Sequence, residues 1–424
     1  MAMRDRELGR LFKMRILFVY AWLLFSGSAG AVADPLQDAS KFTVRIKTSI
    51  EFAFAEDEAG TIRGAGFLVD DSNGYIVTNA HVSGRGNARI EVAFKGHSYE
   101  YAEAVYVDPD LDLAILKLTA SLIPEDAVTA KLECTDRYLN GLEVAAYGHP
   151  HGLAFSASRG IISQVRTLEG EDWVQTDAAI NAGNSGGALI DLETGFVVGV
   201  NAMGYNDTQG LNFAVPTPPL CSILALINEG KDPSPPNIPV IFASDEELDE
   251  HLIVARVLDE TWHEAVNVGD VVSSVGDKKV YTPRELREAL RGHTGGTALS
   301  LLRDGHEAAV MIDIAPQEAI LNRPHILMDG ALISYDVYPE RRRSDGLFLI
   351  HSLAAGSLSE QSELKTYHAI SSVNGVTPKS LRHLYSLLNS SKELSFIIRY
   401  WSESTGRLND YIHVRYVPEE TMLR

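Results

Sequence analysis

From Val44 onward the chain alternates in character. Val44, Ile46, Thr48, Ile50, Phe52 and Phe54 fall on one side, and Arg45, Lys47, Ser49 and Glu51 on the other. A period of two is the mark of a half-buried strand. Shorter apolar runs follow at turn-punctuated intervals: AGFLV, YIVTN, RIEVAF, AILKL, EVAAYG, WVQT and VVGVNA, separated by Gly, Asn and Asp. Many short strands with such turns predict β-barrels. The pattern changes at TPPLCSILALINEG, which predicts a helix with Pro218 and Pro219 near its start and Gly230 at its end. After it, KDPSPPNIP reads as a proline-rich linker that holds the next domain at some distance, with few core contacts crossing the boundary.

Beyond that linker the chain repeats itself. SSVGDKKVYTPRELREAL, beginning at Ser273, returns as SSVNGVTPKSLRHLYSLL, beginning at Ser371. In the first copy Thr282 is a predicted helix N-cap, with Pro283 in the first turn, Glu285 closing a capping box and Gly292 stopping the helix. Thr377-Pro378 is expected to open the second helix in the same way. Each helix follows one strand-like run, LIVARVL or LFLIHSL, and precedes another, ALSLLR or LSFIIRY.

The chemistry concentrates in TDAAINAGNSGGALI, where Ser185 stands among Gly183, Asn184, Gly186 and Gly187. Glycines on both sides of a hydroxyl let backbone N–H groups turn toward a reacting carbonyl, so one loop can supply a nucleophile and an oxyanion hole. Gly-Asn-Ser-Gly is also ordinary turn composition. Two other segments supply what a serine nucleophile lacks, a general base and a carboxylate to fix its tautomer. His81 ends GYIVTNAHV, and Asp112 immediately precedes the strand-like LAILKL. Each taken alone has a plain structural reading, but the three in the order His81, Asp112, Ser185 follow the chymotrypsin-type arrangement and differ from subtilisins and α/β-hydrolases.

On these residues, the segment from about 40 to 230 resembles the protease domain of the HtrA/Deg family of serine endoproteases. The matching stretches are GAGFLVDDSNGYIVTNAHV, DPDLDLAILKL, GHPHGLAFSASRGIIS, TDAAINAGNSGGALI, GFVVGVNA and LNFAVP. The resemblance implies His81 as base, Asp112 as its orienting acid and Ser185 as nucleophile. The N–H groups of Gly183 and Ser185, with Asn184 between them, would form the oxyanion hole. Ile180 matches a residue lining the family's primary pocket, and Val200, Asn201 and Ala202 would line the substrate site. Position 179, which carries a carboxylate in trypsin-like enzymes, is alanine, so small aliphatic residues before the scissile bond are expected to fit. Such residues are normally buried, which suits an enzyme that degrades unfolded or misfolded proteins. Two departures from the family, Ala182 and His149, are expected to touch no catalytic atom.

The repeated segments look like the family's PDZ domains, which capture peptide C-termini by adding a strand to a sheet edge. Neither candidate carboxylate loop, IPVIFAS or MDGALIS, fits that motif well. The expected class is mostly β: a chymotrypsin-like double β-barrel followed by two small α+β PDZ-like domains. The expected boundaries are a signal peptide over 1–33, a trypsin-like protease domain over 34–230, the linker over 231–239, a first PDZ-like domain over 240–317 and a second, divergent one over 325–418. The resemblance also implies a homotrimer or a multiple of trimers. The alternative function is a non-proteolytic chaperone or PDZ-based peptide-binding scaffold, which an altered triad residue would have favoured.

Composition narrows the setting. The 424 residues carry a formal charge of −20, which argues against nucleic acid and anionic membrane surfaces as partners. Arg15 precedes the ten apolar residues ILFVYAWLLF, and Ala31-Val32-Ala33 forms a small-x-small cleavage signal. This reads as a secretory signal peptide cleaved after Ala33, giving an exported enzyme of the bacterial periplasm; a retained anchor is the other reading. Export would put Cys134 and Cys221 in an oxidising compartment, where pairing is open but carries no spacing signature. No cluster has zinc or calcium spacing, so no metal and no cofactor is implied.

Overall fold

The computed structural model describes residues 35–423 apart from 55–56, 87, 136–137, 150–154, 169, 205–209, 244–251, 337–346, 403–406 and 419–420. The expected signal peptide lies outside the described residues. Two closed six-stranded barrels come first. The first is built from β1 (Thr43–Ile50), β2 (Gly60–Asp70), β3 (Tyr75–Thr78), β4 (Arg89–Ala93), β5 (Glu100–Asp108) and β6 (Leu113–Leu118). The second uses β7 (Glu143–Gly148), β8 (Ser156–Leu168), β9 (Glu171–Thr176), β10 (Ala188–Asp191), β11 (Val197–Gly204) and β12 (Asn212–Pro216). Around each barrel the strands follow one another in the same order, β1-β2-β3-β6-β5-β4 and β7-β8-β9-β12-β11-β10, so a single topology is used twice. Closure leaves no exposed strand edge in either barrel, and Ile46, Leu68, Ile76 and Leu116, which share one face of the first, are all buried.

The predicted first strand is shorter than its alternation. It ends at Ile50, and Phe52 and Phe54 continue into a loop that leaves the barrel. Both are apolar because a different surface covers them, as described below.

After the barrels, the helix α3 (Thr217–Asn228) packs back over the segment between them; α1 (Ala39–Phe42) and α2 (Ala80–Ser83) are single turns nearer the amino terminus. Thr217 N–H donates to the Tyr138 hydroxyl at 3.0 Å, and the Thr217 hydroxyl to the Glu133 carbonyl. This docking brings Cys221 onto Cys134, 87 residues away, with Cα atoms 5.9 Å apart, and they form a disulfide. The pairing left open in the sequence is thus made by tertiary packing.

A sheet in the order β13 (Val240–Phe242), β14 (Leu252–Val257), β15 (Val271–Val275), β17 (Gly295–Arg303), β18 (His306–Ile314) follows, with β16 (Lys278–Lys279) paired to β15 and the helices α4 (Glu260–His263) and α5 (Pro283–Leu290). The Thr282 hydroxyl caps α5 by accepting Glu285 N–H at 3.1 Å, while the Glu285 carboxylate accepts Tyr281 N–H at 2.7 Å. The last sheet runs β24 (Arg407–Tyr416), β23 (Leu394–Ser402), β22 (Ala369–Val373), β21 (Leu347–Leu353), β20 (Ala331–Asp336), β19 (His325–Met328), β25 (Thr421–Leu423), with α6 (Leu358–Gln361) and α7 (Leu381–Leu388). Here the expected cap is displaced. Ser380, not Thr377, accepts the His383 N–H at 3.1 Å and starts α7. The sheet also takes in β25, beyond the predicted end at 418, because Thr421–Leu423 pairs with β19. The whole is a mostly β chain, a double barrel of the chymotrypsin-like class followed by two small α+β units.

The proline-rich segment does not hold the next unit at a distance. Pro233, Ser234, Pro235 and Pro236 are buried, and the strap is tied to the far end of the following sheet by Asn237 N–H to Ala315 O and Gln317 N–H to Pro235 O, both at 2.8 Å. Around it Arg291, at the end of α5, reaches Asp108 Oδ2 at 2.9 Å, the Tyr106 hydroxyl at 3.0 Å and the Pro233 carbonyl at 2.6 Å. The side chains of Arg291 and Asp108 are 3% and 0% exposed. Arg284 pairs with Asp172 at 2.8 Å, and Arg287 with Glu171, so three arginines along α5 bind carboxylates of both barrels. The reason is charge complementarity across an interface that the linker composition alone could not register. Arg291→Met should leave the Asp108 carboxylate buried without its cation and cost about 3–5 kcal/mol. Thermal unfolding of wild type and variant checks this, and an unchanged melting temperature would contradict it.

Candidate active site

Ser185, His81 and Asp112 come from different elements around the junction of the barrels. β3 ends at Thr78 and α2 follows at once, which sets His81 on a rigid turn rather than on a free loop. Asp112 precedes β6 with φ of 52°, a left-handed conformation that aspartate tolerates better than most residues. Its turn is held from both sides: Asp108 Oδ1 accepts Leu111 N–H at 3.0 Å, and the Asp112 carbonyl accepts Asn79 Nδ2–H at 2.9 Å. So held, the Asp112 carboxylate takes both donors of His81. Oδ1 accepts the backbone N–H at 3.0 Å, and Oδ2 lies 2.8 Å from Nδ1. A carboxylate facing Nδ1 keeps the proton there, which leaves Nε2 as a proton acceptor.

The loop before β10 is a sequence of tight turns. Asn184 N–H donates to Asn181 O at 2.8 Å and Gly187 N–H to Asn184 O at 2.9 Å, while Gly186 and Gly187 exchange bonds with Asn201 on β11. Gly186 has φ of 84°, and a Cβ there would lie 2.2 Å from both the Ala65 carbonyl and the Thr78 hydroxyl. The loop can therefore pass against the first barrel only with glycine at this position. Ala65 N–H donates to Ser185 O at 2.8 Å, tying the two barrels at the serine itself. The Ser185 hydroxyl donates to Ala202 O at 2.9 Å. Among the described residues, the N–H groups of Gly183 and Ser185 donate to no protein acceptor, whereas that of Asn184 is used within the turn. Both amides are thus left without a protein acceptor on the same loop as the Ser185 hydroxyl.

The other sequence-predicted site residues surround this loop. Val200, Asn201 and Ala202 are buried on β11; the Asn201 amide donates to the carbonyls of Tyr147 and Ala188 and so braces β11 against its neighbours. Ile180 packs in the core of the second barrel with Val144, Ile162, Leu189 and Val198. Among the described residues, no cluster of His, Cys, Asp and Glu is arranged to hold a metal.

The region Gly64–Val200 matches the family model for a trypsin-like peptidase domain. A probable periplasmic serine protease of Haemophilus influenzae, described as do/HhoA-like, is 26% identical over 77% of this chain and 74% of that protein. A probable periplasmic serine endoprotease of Pseudomonas fulva, described as DegP-like, is 30% identical over 66% of the chain and 60% of its own length. The solved serine endoprotease of Yersinia pestis superposes with a TM-score of 0.51 at 28% identity, covering 67% of this chain and 97% of that one. The HtrA-type protease AlgW with a tripeptide gives 0.56 at 26% identity, covering 68% and 97%. The chain carries a trypsin-like serine peptidase domain and is similar to periplasmic serine endoproteases of the DegP and HtrA kind.

Within this peptidase domain, several residues that support the site were not anticipated. The contacts of His149 are with no catalytic atom, but they brace the loop: its backbone N–H donates to Gly183 O at 3.2 Å, and its ring bridges two segments, with Nε2 3.1 Å from Val44 O and Nδ1 accepting Phe155 N–H at 3.0 Å. Burial pushes this imidazole down to about 4, so at neutral pH it is uncharged, as an acceptor at Nδ1 requires. Arg85 stands 3.9 Å from Asp112 and is itself paired with Asp57. No local motif marks any of these, since each acts through a partner distant in sequence.

Proposed function

We propose that the chain cleaves unfolded or misfolded proteins through an acyl-enzyme, with His81, Asp112 and Ser185 as the working triad. The observation that carries this reading is the two-point grip of Asp112 on His81, with the Ser185 loop tied to the first barrel at Ala65 and the Gly183 and Ser185 amides left without a protein acceptor among the described residues. In the first step Ser185 Oγ turns from Ala202 O toward His81 Nε2, gives it the proton and attacks the scissile carbonyl. The Gly183 and Ser185 N–H groups receive the oxyanion, and Asp112 balances the imidazolium. His81 then protonates the leaving amine, and water repeats the sequence on the acyl-enzyme.

The primary pocket is read as small and apolar. Ala179 brings no carboxylate, and Asp177, the nearest one on this loop, accepts the Ile161 N–H at 2.6 Å. Val, Ala or Ile before the cleaved bond should therefore be preferred to Lys or Arg. Mass-spectrometric mapping of the products from a denatured protein tests both substrate class and pocket; cuts mainly after basic residues, or no cuts, would contradict the reading.

The same reading divides the chain into a protease domain over 34–230, a strap over 231–239, and two PDZ-like units from 240 and 325. Peptide ends would add at β13, the terminal strand of the first sheet. In the second unit the corresponding β20 is already paired to β19 through the tight Asp329-Gly330 turn, with β25 outside it. Export to the periplasm is supported by the names of the relatives, and assembly as a trimer or a multiple of trimers by the family resemblance.

A further inference from the structure

The loop that leaves the first barrel after β1 is wedged between two surfaces. Phe54, 2% exposed, clusters with Leu327 and Leu332 of the last sheet. Those leucines are cross-strand partners on β19 and β20. His325 and His351 set their rings edge-on to Phe54, with centroids 5.7 and 5.2 Å away, and the Arg323 guanidinium lies over the ring at 4.7 Å. On its other side, Phe54 fills the space that a Cβ on Gly86 would need, 2.5 Å from a ring carbon. Gly86 belongs to the segment that follows His81.

Asp57 grips that same segment. Its N–H closes a turn to Phe54 O at 2.9 Å. Asp57 Oδ2 accepts Arg85 N–H at 2.6 Å, and Oδ1 pairs with Arg85 Nη1 at 3.0 Å. Arg85 Nη2 then stands 3.9 Å from Asp112 Oδ1, the oxygen that accepts the His81 backbone N–H. The side chains of Asp57 and Arg85 are 3% and 16% exposed, so solvent screens their charges little.

We propose that Arg85 is a positioning residue for the acid–base pair, held in place by the second PDZ-like unit, whose outer sheet face clamps Phe54. The inference rests on the reading of Asp112 and His81 as the acid–base pair. With the clamp closed, a fixed cation faces Oδ1 of Asp112 and the carboxylate is held in the plane that offers Oδ2 to His81 Nδ1. With the last unit displaced, Phe54 loses its apolar seat, the Asp57–Arg85 pair opens to solvent, and Arg85 no longer fixes the carboxylate. The ligand of this sheet face is thus a loop of the same chain. Every step of the path is a direct contact, which is the physical basis for coupling between sites.

The test uses the full chain and a short chromogenic peptide, so that recruitment of large substrates does not enter. Phe54→Ala and Leu332→Ala, made separately, should each lower kcat about tenfold with KM within about twofold. Phe54→Leu, which keeps an apolar plug, should recover most of the loss. In an Asp57→Asn background, adding Phe54→Ala should cost nothing more, because both changes break one chain of contacts. Wild-type kcat in Phe54→Ala, or losses that multiply in the double variant, would overturn the proposal. If Leu332→Ala unfolds the last sheet, as read by thermal unfolding, Phe54→Ala decides alone, since that side chain lies outside both barrel cores. Asp112→Asn separates the two premises: full activity there removes the acid assignment itself, whereas its inactivity together with a wild-type Phe54→Ala removes only the positioning role.

Discussion

Ser185→Ala is expected to abolish peptide hydrolysis, with a loss on the order of 10⁶ in kcat, because removal of a nucleophile leaves only the oxyanion site and binding. The fold should survive. Among the described residues the Ser185 hydroxyl makes one hydrogen bond, to Ala202 O, so its loss should cost about 0.5–1.5 kcal/mol. The contacts that hold the loop, Ala65 N–H to Ser185 O and Gly186 N–H to Asn201 O, use backbone atoms that alanine keeps. Steady-state assay of a short peptide, with thermal unfolding as a control, reads both parts. A folded Ser185→Ala protein with wild-type turnover would end the nucleophile assignment and with it the acyl-enzyme mechanism.

Asp112→Asn should lower kcat on the order of 10⁴. Asparagine is isosteric and accepts the left-handed backbone at position 112, so the turn from Asp108 should keep its shape. What changes is the proton. The Asn oxygen can still take the His81 N–H, but the amide NH₂ then faces Nδ1 and donates to it. The imidazole must move its proton to Nε2, where it can no longer accept one from Ser185. The loss should fall on kcat, with KM little altered, because no group that would hold substrate has moved. Activity within about tenfold of wild type would mean that Asp112 neither fixes the tautomer nor stabilises the imidazolium.

These predictions rest on parts that are legible in the chain itself. Ser185 between glycines, His81 after an apolar run and Asp112 before another are local patterns, each within a few residues of a strand. The alternation from Val44 to Ile50 is local too, because one barrel face is wet and the other dry. It misled at Phe52 and Phe54, where period two continued although the strand had ended. Two residues can be apolar for the sake of another domain, and nothing within a single strand distinguishes that case. The capping of α7 failed for a related reason: Thr377-Pro378 repeats Thr282-Pro283, but Ser380 offers its hydroxyl three residues later and starts the helix there.

The sequence by itself determined the class of chemistry, the doubling of the C-terminal units and most strands, since these follow from periodicity and from short motifs within a few residues. Tertiary structure alone decided the Cys134–Cys221 bond, the burial of the proline strap under Arg291, the grip of His149 on Gly183 and the seat of Phe54. Each of these joins groups tens to nearly two hundred residues apart or more, so its energy depends on how closed barrels and sheets bring distant surfaces together. That arrangement is set by the sum of many weak burial terms and leaves no mark at either partner's own position.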